Sequence, residues 1–219
     1  MMEGEEAVKR VYRSALRQAQ AESTRLAIID AAARLFAQQG YVATTVDQIA
    51  AAAGVSRATV FTSVGGKSAL LKTAYDVALV GDDEPVPLPE RPRSRRIQAE
   101  PDPRQFLGLY AELVTEIDGR VALIYEAVRG AASADEGARA VWDKIQHERR
   151  TGAGNVVQLV VSKEGLLAGL DAEAAADIVW VLNDPGLYHL LVQQRGWNPD
   201  QFTVWLATTL HAQLLAPSS

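Results

Sequence analysis

Apolar residues recur at three- and four-residue spacing along most of the chain, with no sustained strand-like alternation, so the pattern predicts an all-α protein. The first stripe covers 5–21, with Val8, Val11, Tyr12, Ala15, Leu16 and Ala19 interleaved with Lys9, Arg10, Arg13 and Arg17. An amphipathic helix then runs to Gly40-Tyr41. Two short helices follow, one from Val46 and one over about Arg57 to Ser63, and a fourth from Lys67 to about Val80 carries Leu70, Leu71, Ala74, Val77 and Ala78. Residues 85–103 hold six of the nine prolines together with Arg91, Arg93, Arg95 and Arg96, a composition that predicts an extended, polyproline-like loop.

After Pro103 the helical spacing resumes. Phe106, Leu109, Tyr110, Leu113 and Ile117 form one stripe, and Val121, Ile124, Tyr125 and Val128 a second. Val141, Trp142, Ile145, Val156, Leu159 and Val160 define the next helix, which Gly152 and Gly154 are expected to kink or split. Asp171 starts another, Asn183-Asp184-Pro185-Gly186 breaks it, and Leu187 to Gln194 resumes it. Asn198-Pro199 then restarts the chain as a last helix to about 215, with the asparagine as cap and the proline in the first turn.

The short helices carry the most specific local chemistry. Thr45 with Gln48 three residues later makes a capping box, so the second helix starts at Val46. Ala50 is small where two helices must cross, Gly54 accepts the positive φ of a tight turn, and Ser56 caps the next helix. That helix exposes Arg57, Ala58, Thr59, Thr62 and Ser63, short or hydrogen-bonding side chains able to reach base edges in a major groove. The arrangement is a helix-turn-helix.

The segment 24–80 resembles the N-terminal domain of the TetR family of bacterial transcription regulators. The resemblance is carried by Thr24-Arg25, Ile29, Ala32-Ala33, Phe36, Gly40-Tyr41, Thr45, Ile49-Ala50, Ala53-Gly54-Val55-Ser56, Thr59, Lys67 and Leu70-Leu71, with Phe61 where the family usually has tyrosine. A weaker resemblance covers Leu187-Tyr188, Gly196-Trp197-Asn198-Pro199, Trp205-Leu206 and Thr209-Leu210 near the C-terminus. It implies a homodimer on a palindromic operator, and a small-molecule pocket in the second domain whose occupation alters the spacing of the DNA heads.

Charge fits this division. The chain is net −5, but residues 1–80 have nine Lys/Arg against seven Asp/Glu, whereas 105–219 have eight against fourteen. A mildly positive head on an acidic body keeps the acid away from phosphates, which supply much of DNA affinity; an ordinary solvated charge distribution gives the same numbers. The 5–21 helix either lies against DNA or is a solvated helix, and the arginines of 81–103 either touch phosphates or line a surface loop. There is no cysteine, the three histidines are scattered, and nothing suggests a cofactor or metal site. The acidic start and the lack of a long apolar run predict a cytoplasmic protein that does not enter a membrane. Asp143 and His147 share a helix face, but no nucleophile or phosphate loop accompanies them, so an enzyme is not expected. Gly65-Gly66-Lys67-Ser68 lacks the preceding strand of a phosphate-binding loop.

The resulting expectation is an all-α protein with a basic helical extension (1–22), a helix-turn-helix domain of three helices with a connecting helix (23–80), a Pro/Arg-rich loop (81–103) and a helical effector-binding and dimerisation domain (104–219). Its function is sequence-specific, ligand-responsive repression; the alternatives are a regulator that is constitutive or controlled by a protein partner and, more distantly, a helical enzyme. Double-stranded DNA should be held by Thr45, Arg57, Ala58, Thr59, Phe61, Thr62, Ser63 and Lys67. A small, largely apolar effector should sit among Phe106, Tyr110, Tyr125, Trp142, Trp180 and Tyr188, aromatics drawn from several helices that plain core packing would also use. Homodimerisation should use Ile178, Leu182, Leu190, Phe202, Leu206, Leu210 and Leu214.

Overall fold

Gly40, at φ 77° and ψ 172°, is the one non-helical residue inside a first helix, α1, that spans Met2–Ala43. The structure, a computed structural model, describes residues 2–217, with side chains described from residue 16 onward. The expected break between an N-terminal extension and the first domain helix is absent, because residues 16–23 contain no breaker and Thr24 donates its hydroxyl to the Gln20 carbonyl inside the helix instead of capping a new one. The side chains of the basic stripe up to Ala15 lie outside the described residues.

Helices α2 (Val46–Ala53) and α3 (Arg57–Ser63) form the helix-turn-helix. The capping box is present: Thr45 Oγ1 accepts from the Gln48 N–H at 3.2 Å and Gln48 Oε1 accepts from the Thr45 N–H at 2.8 Å. Gly54 closes α2 in the left-handed region at φ 68°. Helix α4, Lys67–Val80, leads away from the head. Ile28, Phe36, Ile49, Val60, Leu70 and Leu71 are fully buried at the centre of this unit.

Residues 81–103 are not simply a loop. A 3-10 turn at Leu88–Glu90 precedes helix α5, Pro92–Gln98. Proline density misled the reading, because Pro92 falls in the first helical turn, where its missing N–H costs nothing and its fixed φ helps. Ser94 and Ile97 of α5 are buried, and Arg91 braces the segment with a two-pronged contact to Asp82 at 2.5 and 2.7 Å.

The body is built on α6 (Pro103–Ala131) and α7 (Glu136–Ser162). α7 runs unbroken through Gly152 and Gly154: each glycine costs about 1 kcal/mol against alanine, but Ala153, Val156, Val157 and Val160 on the same stretch are buried and offset that cost. Helix α8 (Ala172–Leu182) does end where expected, and α9 (Pro185–Tyr188) passes into a π-helical segment, His189–Gln194. Helix α10 is Pro199–Leu214, opened by a second capping box of Asn198 and Gln201.

Two hydrophobic clusters result. One joins the head to the near end of the body, since Phe36, Tyr41, Leu71 and Tyr75 share it with Val121, Ile124 and Tyr125 of α6 and Ile145 of α7. The other packs α6, α7, α8 and α10 around Phe106, Leu107, Val157, Val179 and Phe202. Phe202, Leu206, Leu210 and Leu214, expected in a dimer interface, are each 0% exposed within this second cluster. A single i, i+4 stripe on the last helix is needed to cover the protomer's own α6, so these four are core residues. Ile178 and Leu182 are partly buried and Leu190 is exposed.

Candidate nucleic-acid interface and internal cavity

Ser56 caps α3 through its Oγ, which accepts from the Thr59 N–H at 3.1 Å and lies 2.8 Å from Thr59 Oγ1. The Thr59 hydroxyl is therefore engaged in the cap. Arg57, Ala58, Phe61 and Thr62 are exposed on the same helix, with Phe61 45% exposed. Thr62 donates back to the Ala58 and Thr59 carbonyls at 3.1 Å, which leaves its oxygen able to accept. The Arg57 guanidinium reaches Asp47 of α2 at 2.8 Å and lies 5.5 Å from the Phe61 ring centroid. Both partners of that ion pair are more than half exposed, so it holds Arg57 loosely and leaves it available to a competing anion.

Thr45 is exposed at the start of α2, and Lys67 is half-buried at the start of α4. The Lys67 ammonium sits 4.1 Å from the Tyr41 ring centroid and donates to the Val42 carbonyl at 3.3 Å; desolvation lowers its pKa, which nearby Asp135 partly restores. Ser63 contributes its carbonyl to the head's internal bracing. It accepts from Arg25 at 2.8 Å, while the same guanidinium pairs with Asp83 at 2.6 Å and so ties the end of α3 to the segment after α4. The sequence pattern contained Arg25 but not this role.

The second feature is a cavity of about 240 Å³. Tyr75 and Leu79 of α4, Leu88 and Pro89, Ser94, Ile97 and Gln98 of α5, and the α6 and α7 faces around Val114 and Val156 line it. Of the six aromatics expected there, Phe106 and Tyr110 are in the wall. The other four are not. Trp142 packs on Tyr125 with ring centroids 5.0 Å apart, Tyr188 meets Phe202 edge-on at 5.2 Å, and Trp180 lies 5.7 Å from the Arg149 guanidinium. Helical spacing places a ring on a face but not at a depth: Tyr125 and Tyr188 are buried in the packed core, whereas Trp142 and Trp180 are only partly buried.

The polar part of the cavity wall was missed at the sequence level. Arg149 pairs with Asp184 at 3.0 Å and donates to Tyr125 Oη, Gln146 Oε1, the Trp180 carbonyl and Asn183 Oδ1 at 2.7–3.2 Å. Asn183 donates to Tyr110 Oη at 2.9 Å, and burial pushes the Tyr110 phenol up to about 12. Asp118 is 2% exposed, and its Oδ2 has no partner. Burial raises its pKa well above the carboxylate range, with Arg149 opposing and Asp184 reinforcing the shift. One acid among Val114, Ile117 and Val121 on a buried face was the signal in the sequence. His147 and Asp143 are exposed, and no group of three or more metal-ligating side chains occurs among the described residues.

Residues 28–74 match the family described as bacterial regulatory proteins, tetR family. No curated protein matches the sequence. Among solved structures the chain is similar to NalD, the secondary repressor of the MexAB-OprM multidrug efflux pump in Pseudomonas aeruginosa, at 22% identity and a TM-score of 0.70 over 91% of this chain and 100% of that one. It is also similar to the transcriptional regulator FadR from Bacillus subtilis, solved with stearoyl-CoA, at 17% identity and a TM-score of 0.67 over 84% and 96%. The fatty acid degradation regulator FadR from Bacillus halodurans aligns at 15% identity and a TM-score of 0.66 over 85% and 94%. The N-terminal domain is thus a TetR-family domain with a DNA-binding helix-turn-helix, and the helical body continues in the fold of TetR-family transcriptional regulators.

Proposed function

We propose that this TetR-type protein is a cytoplasmic, homodimeric repressor that binds a palindromic operator and releases it when a small, largely apolar molecule fills the cavity between α4, α5, α6 and α7. One observation carries this reading: α4 lines the cavity with Tyr75 and Leu79 while its first residue, Lys67, stands at the base of the head. A molecule entering the cavity presses on the helix that carries the DNA-binding unit. Such a molecule can shift the equilibrium only by its preference for one position of α4 over the other.

DNA contact is assigned to the exposed side chains of α3, chiefly Arg57, Ala58, Phe61 and Thr62, with Thr45 and Lys67 toward phosphates; Thr59 and Ser63 support the helix. The dimer is assigned to the outer faces of α8 and α10, where Ile178, Val181, Leu182, Thr209 and Gln213 border an open groove and Val181 is 55% exposed. A two-fold axis there would hold two α3 helices about 34 Å apart, or a multiple of one DNA turn.

The test is selection of bound sequences from a random DNA pool, followed by affinity measurements on the selected site across a panel of apolar ligands. A palindromic consensus whose affinity falls about 5- to 150-fold with a ligand supports the reading. A consensus whose affinity no ligand changes assigns control to a protein partner or to none.

A further inference from the structure

The cavity surface is mostly apolar, yet α6 sets a carboxyl in its wall beside the polar groups of α7. Asp118 is almost fully buried and its Oδ2 is unpartnered. Buried polar atoms are nearly always satisfied, and an unpaired buried carboxylate is far costlier than an unpaired amide. Arg149, in the same wall, opposes the charge only through space and makes no hydrogen bond to it: the guanidinium is ion-paired with Asp184 at 3.0 Å and bonded to four further groups, and its own buried Nε is likewise unpartnered. The other acid in the wall, Glu148, is held by Lys72 at 3.2 Å. Tyr75 and Tyr110 line the same space, and aromatic rings can attract cations.

We infer that the cavity takes a lipophilic organic cation, an amine whose ammonium group pairs with Asp118 while its hydrocarbon or aryl part fills the apolar space. This rests on the effector reading above and adds the sign of the ligand's charge. A fatty carboxylate of the same shape is disfavoured, since Asp118 would have to stay protonated beside it and the Arg149 charge in the wall is already matched by Asp184. Asp118 is faced by Arg149 from α7, Asp184 before α9, Tyr188 of α9, Tyr75 of α4 and Tyr110 of α6, and burial favours its protonated form in the empty cavity. Entry of the cation therefore releases a proton, and affinity weakens as the pH falls.

The matched set 4-phenylbutylamine, 4-phenylbutanol and 4-phenylbutyrate, titrated calorimetrically into the full chain, isolates the charge. The amine should bind about tenfold or more tightly than the alcohol, with the carboxylate weakest. Asp118→Asn, its fold checked by circular dichroism, should erase the amine's advantage over the alcohol. Acidification of the unaltered protein should weaken the amine but not the alcohol, a readout that requires no variant. Equal affinity for amine and alcohol, tighter binding of the carboxylate, or an Asp118→Asn protein that still prefers the amine overturns the inference. If the alcohol alone binds and loosens operator binding, the effector reading survives without the cation; if none of the three binds, both lose their footing.

Discussion

Arg120 of α6 donates from Nε to the Ala78 carbonyl of α4 at 2.8 Å, and from Nη2 to the adjoining Leu79 carbonyl at 3.0 Å. These are last-turn carbonyls without helical partners, so a body residue two positions from Asp118 holds the end of the helix that carries the head. Glu116 anchors the other side of the guanidinium at 2.9 Å and also pairs with Arg93 of α5. Helices α4, α5 and α6, all of which line the cavity, are thereby joined through Arg120 and Glu116.

Arg120→Met should therefore lower stability by about 1–2 kcal/mol through loss of charge-assisted hydrogen bonds, and should weaken the coupling between cavity and DNA. Thermal denaturation checks the first effect. The ratio of operator affinities with and without a bound ligand checks the second; an unchanged ratio would remove Arg120 from the path.

The Asp47–Arg57 pair makes the DNA face testable in both directions. Asp47→Ala should release Arg57 and strengthen DNA binding at low salt, whereas Arg57→Ala should weaken it and alter sequence preference. Lys67→Ala should weaken all sequences alike and reduce the salt slope by about 1. Competition binding at several salt concentrations separates these outcomes, and a folded Arg57→Ala, Thr62→Ala protein with unaltered preference would rule out α3 as the reading helix.

Burial distinguishes the core of α10 from its outer face. Leu206→Glu should unfold the protomer, because it forces a charge into a site that is 0% exposed, at a cost of several kcal/mol. Val181→Glu, on the exposed face of α8, should leave the fold intact and convert dimer to monomer. Sedimentation velocity with circular dichroism tests both, and a folded Val181→Glu dimer would place the interface elsewhere.

Asp118→Asn should stabilise the ligand-free protein at neutral pH, because folding then no longer has to protonate or desolvate a carboxylate that is ionised in the unfolded chain. The sign with pH follows from a folded-state pKa raised above the unfolded value. As the pH rises from about 4, the unfolded chain loses this proton before the folded chain does, so Asp118's contribution to stability falls until the folded pKa is reached. The melting temperatures of the two proteins should thus converge in acid and separate toward neutrality, and parallel curves would contradict the raised pKa.

Much of the head was legible locally. Thr45 with Gln48, Gly54 and Ser56 act within a few residues of themselves, so their capping and turn roles follow from backbone hydrogen bonding that any surroundings preserve. The break at Asn183–Gly186 and the restart at Asn198-Pro199 were readable for the same reason. The breaks expected at residues 22–23 and at Gly152 and Gly154 were not, because buried neighbours or good helix formers outweighed a modest local preference.

The sequence by itself determined the helical class, the helix-turn-helix and the amphipathic faces, since periodicity and capping are short-range properties. Only the tertiary structure decided what each face meets. It made a helical wall of the proline-rich segment, put Phe202, Leu206, Leu210 and Leu214 in the protomer's own core, left Tyr125, Trp142, Trp180 and Tyr188 outside the cavity, and stranded Asp118 within its wall. Apolar spacing specifies which side of a helix turns inward, but the depth of a side chain and the presence of empty space beside it depend on how distant helices stack.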